Sequence, residues 1–74
     1  MKRIRIIIKD VNDMKRFIIH SSKVQEPGVN VYKGNLVIDG SSVIAMMNLI
    51  DSEITVEYPE HHQSFASFVK QFSI

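Results

Sequence analysis

Apolar and polar residues alternate in two segments of this chain, Arg3–Lys9 and Glu53–Tyr58. In the first, Ile4, Ile6 and Ile8 fall on one side and Arg3, Arg5 and Lys9 on the other, with Ile7 interrupting the polar side. In the second, Ile54 and Val56 alternate with Glu53, Thr55 and Glu57. Period-two alternation marks a strand with one face buried and one face wet. The apolar face must be covered by something, and the segments between these strands carry helical periodicity. An antiparallel sheet with helices packed on one face satisfies both patterns.

The intervening elements read in order. Asp10–Asp13 supplies helix-start residues, of which Asp10, Asn12 or Asp13 can cap a first turn. Met14, Phe17, Ile18 and Ser21 follow at helical spacing, with Val24 one turn on, and the helix ends before Pro27-Gly28. Gly28–Lys33 reads as a second strand, Lys33-Gly34-Asn35 as a tight turn, and Leu36–Ile38 as the returning strand. Asp39-Gly40-Ser41-Ser42 offers hydroxyl caps to a short helix over Val43–Ile50. Asp51-Ser52 turns the chain into the Glu53–Tyr58 strand, which Pro59 stops. Phe65, Phe68, Val69 and Phe72 then stand at i, i+3, i+4 and i+7. The expected fold is α+β, a single domain over residues 1–74 in the order β-α-β-β-α-β-α. Its expected core is Ile4, Ile6, Ile8, Phe17, Ile18, Val29, Val31, Val37, Ile54, Val56, Phe65, Phe68 and Phe72.

A chain of 74 residues buries only about 60% of its unfolded surface, so that core must be compact and nearly all apolar. There is no cysteine, which removes disulfides and thiolate metal sites. No apolar run approaches the roughly 18 residues of a membrane span, and the basic start Met1-Lys2-Arg3-Ile4-Arg5 lacks the apolar length of a signal peptide. A cytoplasmic protein is the expectation. The net charge of +1 hides a split: residues 1–24 balance to +5 and residues 25–74 to −4. Such a split can mark nucleic-acid binding, but no aromatic residue is interleaved with the basic ones. A dipolar surface is the plainer reading.

Several residue runs, in order, resemble HPr, the histidine-containing phosphocarrier of the bacterial sugar phosphotransferase system. They are Ser22-Lys23-Val24 at the end of the first helix and Tyr32-Lys33-Gly34 at the hairpin. Asp39-Gly40-Ser41-Ser42 before Val43-Ile44-Ala45-Met46-Met47-Asn48-Leu49, and Ser52-Glu53-Ile54-Thr55-Val56, complete the set. The resemblance spans nearly the whole chain. It implies an open-faced β-sandwich, four antiparallel strands with three helices on one side. It also implies where the family's chemistry would sit, and there the chain departs from the pattern. HPr proteins carry Gly-Ile-His-Ala-Arg-Pro-Ala where the first strand meets the first helix, and the His accepts phosphate from enzyme I. Here that stretch is Lys9-Asp10-Val11-Asn12-Asp13-Met14. Counting back from Ser22-Lys23 puts Asp10 on the His and Asn12 on the Arg; counting forward from the strand makes the loop a few residues short. On either count the His, Arg and Pro are missing, and no catalytic residue is expected.

The resemblance further places Ser42 on a serine that is phosphorylated in many relatives, and Val43, Ile44 and Met47 on the family's partner-docking surface. Ser42 is equally well read as a plain helix cap. Asp10 is read either as a cap or as a standing negative charge that imitates phosphohistidine. Of the helix Val43–Ile50, only Asn48 is polar, more apolar surface than one face can bury. His20 lies too far along the first helix to serve as acceptor, and the adjacent His61-His62 pair lacks the i, i+4 spacing of metal ligands. Neither metal nor cofactor is expected. The reading is a non-enzymatic, HPr-like binding or regulatory module that docks a protein partner through its second helix, without nucleic acid or membrane. Its rivals are an active phosphocarrier, and a small nucleic-acid-binding domain whose Arg3, Arg5, Lys9, Lys15 and Arg16 converge on one face.

Overall fold

The computed structural model describes all 74 residues. Strand β1 (Lys2–Ile7) leads into helix α1 (Val11–Ser22), then strands β2 (Asn30–Lys33) and β3 (Leu36–Asp39). Helix α2 (Val43–Met47), strand β4 (Glu53–Tyr58) and helix α3 (Gln63–Lys70) follow. The strands form one antiparallel sheet in the order β1-β4-β2-β3. The fold is α+β, a four-stranded open antiparallel sheet with three helices, in the order expected from the alternation.

The register explains why one face is dry. Ile4 pairs with Val56, Val56 with Val31, and Val31 with Ile38, so these apolar residues line one row. The next row, Arg5, Thr55, Tyr32 and Val37, belongs to the opposite face. The dry face meets the helix stripes in a cluster of sixteen buried residues, among them Ile6, Ile8, Ile54, Val56, Met14, Phe17, Met46 and Phe65. The α1 stripe is buried as its spacing requires: Met14, Phe17, Ile18 and Ser21, then Val24 beyond the helix. Met46 and Leu49 anchor the α2 region. Three phenylalanines and a tyrosine interlock across layers, with Phe65 5.8 Å from Phe17, 5.4 Å from Tyr58 and 6.5 Å from Phe68.

Several expectations need correction. Val37 is not core: it is 62% exposed, because it stands on the open face of the edge strand β3, one residue from the inward-facing Ile38. Ile4 and Phe72 are half-buried rather than enclosed. Strand β2 begins at Asn30 rather than Gly28, whose φ of +78° is not extended. Helix α2 stops at Met47, and Asn48–Asp51 forms a turn that ends with Asp51 at φ +68° and its N–H donating to the Ile8 carbonyl at 2.7 Å.

The two sheet edges differ. Along the outer side of β1, the Ile7 N–H donates to the Phe72 carbonyl and the Ile74 N–H to the Arg5 carbonyl, each at 3.1 Å. The segment Phe72–Ile74 thus covers that edge, and Ile7 is half-buried beside it. No segment of the chain lies along the outer side of β3.

Candidate protein-docking surface

At the entrance to α1, Asp10 adopts extended backbone and its Oδ2 accepts from the Asp13 N–H at 3.1 Å. It is the helix cap, and its charge sits where free N–H groups favour an anion. Lys9, Asp10, Val11 and Asn12 are all exposed. This end of the helix offers an amine, a carboxylate and an amide, and its sequence neighbourhood holds no imidazole. His20 is near the other end of α1, stacked flat on Phe68 with centroids 4.0 Å apart and planes 12° apart. The Arg16 guanidinium lies 5.3 Å from the centroid of that same ring. Desolvation, then the nearby Lys23 and Arg16 charges, hold the His20 imidazole below its ordinary value. His62 caps α3, its Nδ1 accepting from the Phe65 N–H at 3.4 Å, and His61 is exposed beside it.

Ser42 occupies the cap position of α2, but its hydroxyl makes no cap bond. The expected hydroxyl caps do not form, because Asp39 takes over this turn. Asp39 Oδ1 accepts from the Ser41 N–H at 2.9 Å and from the Ser41 hydroxyl at 2.7 Å. Those two bonds hold the Asp39 carboxyl below the usual range.

Helix α2 presents Val43 and Ile44 outward, 57% and 81% exposed, while Met47 is half-buried against the core. Beside them runs α1, and between the two helices lies an open depression of about 260 Å³ lined by Lys15, Ile18, Ile19, Val43 and Met47. Ile19 and Val11 extend the apolar surface along α1, both at least half exposed. The spacing Val11, Lys15, Ile19 is i, i+4, i+8, a stripe legible in the sequence but outshone by the stronger inward stripe of the same helix. Lys15 is the one charge lining the depression and forms no ion pair. Of the residues that the sequence puts forward on α2, Val43 and Ile44 are exposed and Met47 is half-buried; the apolar residues of α1 beside them are not among those it puts forward.

The basic residues of the N-terminal third do not converge. Arg3 and Arg5 stand on the open sheet face, each against a carboxylate: Arg3 Nε lies 3.0 Å from Glu57 and Arg5 3.4 Å from Glu53. Lys15 and Arg16 belong to the helix layer, and Arg16 is bound to Asp13 at 2.9 Å. Glu57 also accepts from the Tyr32 hydroxyl at 3.1 Å and from the Asn30 amide at 3.4 Å. The Arg3 bond first, then those of Asn30 and Tyr32, keep its carboxyl below the usual range.

No group of three or more His, Cys, Asp or Glu side chains is arranged to hold a metal ion. No helix is long and apolar enough to cross a membrane. Fold and surface together define a small α+β domain with an apolar depression between its first two helices. Compared with known proteins, the chain matches no family model, no curated protein and no solved structure.

Proposed function

We propose that this chain is a non-catalytic, HPr-like protein-binding module that docks a partner through the apolar surface shared by α1 and α2. The observation that carries the reading is the exposure of Val43 and Ile44 beside the α1–α2 depression. A small domain that leaves such residues adjacent, with a lysine at their centre, is built to have them covered. The partner that fits brings an apolar side chain to the depression and a carboxylate to Lys15. The residue runs from Ser22-Lys23-Val24 to Glu53-Ile54-Thr55 support a kinship with HPr, and Asp10 at the α1 cap argues against phosphate transfer. A carboxylate already fills the anion position, so the domain would engage phosphotransferase-system proteins as a regulator rather than a carrier. Cytoplasmic placement belongs to the same proposal.

Purified enzyme I provides the test. Mixed with it and phosphoenolpyruvate, this protein is expected to remain unphosphorylated. In a titration of isotope-labelled protein, amide shifts are expected at Val43, Ile44, Met47 and Ile19, and Ile44→Asp should remove them. Acid-labile phosphate on any of the three histidines defeats the non-catalytic reading. Shifts confined to the open sheet face defeat the docking surface.

A further inference from the structure

The contrast between the sheet edges carries a second inference, independent of the α1–α2 surface. Exposed strand edges pair with other strands unless something guards them, and proteins place lysine, proline, bulges or covering segments there. The β1 edge is covered by Phe72–Ile74. The β3 edge has no cover; the strand is four residues long, and Leu36, Val37 and Ile38 carry no charge, proline or bulge, its one charge standing at the last residue, Asp39. Leu36 is 60% exposed on the helix side of the sheet and Val37 is similarly exposed on the open side, so both faces of the strand present apolar surface at the edge.

The hairpin fixes which backbone groups are free. Lys33 and Leu36 flank a two-residue turn in which Gly34 has φ +57° and Asn35 does not have positive φ, the pattern of a type II′ turn. In such a hairpin the flanking pair exchanges hydrogen bonds, and bonded pairs then alternate along the ladder. Leu36 and Ile38 therefore bond inward to β2, while the N–H and C=O of Val37 and the N–H of Asp39 point away from the sheet. The Asn35 carbonyl, trans to the Leu36 N–H, points the same way.

We infer that β3 pairs antiparallel with β3 of a second copy of this chain, about a two-fold axis at Val37, to join two sheets into one. That register is self-complementary. Val37 exchanges both backbone bonds with its own symmetry mate. Leu36 meets the partner's Ile38 in a non-bonded pair, where side chains approach most closely. Asn35 stands opposite the partner's Asp39, whose Oδ1 is occupied by Ser41 and whose Oδ2 is left to accept from the amide. The contact is short and lies below the standard interface size, so the dimer is weak and concentration-dependent.

Sedimentation velocity on the whole chain, from roughly 10 μM to 1 mM, is the test. Wild type is expected to shift from monomer to dimer across that range. Val37→Lys should stay monomeric with an unchanged circular-dichroism spectrum, because two lysines would then face each other on the axis. Val37→Pro, which removes an N–H turned away from β2, should do the same. Asn35→Lys places an ammonium opposite the partner's Asp39 and should lower the dimerisation midpoint several-fold, whereas Asn35→Asp should raise it. A wild type that remains monomeric throughout overturns the inference. So does a dimer that survives Val37→Lys and Val37→Pro, or one dissolved by Ile44→Asp, which would place the contact on the α1–α2 surface.

Discussion

At the residue scale, His20 is the side chain whose behaviour follows most directly from its neighbours. Its partial burial first, and then the nearby Lys23 and Arg16 charges, disfavour the cation. The folded state therefore holds the imidazole neutral at pH values where the unfolded chain binds a proton. The stability this contributes is complete above the ordinary value of 6.5 and declines as the pH falls below it. Melting temperatures measured from pH 8 to pH 5 should fall for wild type and fall less for His20→Phe, which keeps a ring on Phe68 and loses the titration. Equal losses in both would show that His20 is not the source of the pH dependence. Asp39 and Glu57 act in the same direction but only nearer the ordinary carboxylate range, so they do not obscure the window in which His20 is read. Gly40 shows a tighter constraint. A Cβ there would lie 2.8 Å from Val29 Cγ1 and 3.0 Å from the buried Ser21 hydroxyl, so the close approach of the β3–α2 turn to α1 requires the missing side chain.

At the element scale, α2 separates two roles within five residues. Met46 is fully buried and Ile44 is the most exposed large apolar residue. Met46→Asp buries an uncompensated carboxylate and should cost several kcal/mol, enough to unfold much of a domain this small. Ile44→Asp should leave the thermal melt within about 2–4 °C of wild type, since surface changes stay near ±0.5 kcal/mol. If both variants melt alike, the helix is rotated from the position described. How much was legible beforehand follows the same division. Strands β1 and β4 and the inward stripe of α1 were readable because burial on one face imposes a period, and the period survives in the residues. The fate of Val37 was not readable. In a three-residue apolar run the sequence carries no period, and only the pairing with β2 decides which member turns inward. The Asp39–Ser41 bonds that replace a hydroxyl cap, and the meeting of Ile19 with Val43, are likewise products of tertiary placement. No local pattern in either segment encodes them.

At the scale of the whole molecule, the order of strands in space has a temporal counterpart. Strand β4 lies between β1 and β2, yet it comes after both in the chain. Until residues 53–58 exist, β1 has no strand to bond and β2 has only its hairpin partner β3. An isolated hairpin is marginal in water, and the apolar stripes of α1 and α2 have no sheet to settle on. A growing polypeptide of this sequence therefore cannot fold in stages from its N-terminus. It must wait for its central strand and then close pairings as distant as Lys2 with Tyr58 in one cooperative step. A chain stopped at Asp51 should show no protected amides in hydrogen exchange. Adding a synthetic peptide of residues 52–74 in trans should restore protection to β1 and β2 together rather than one after the other. During synthesis the open apolar segments, not the finished surface, are what nascent-chain-binding chaperones would meet.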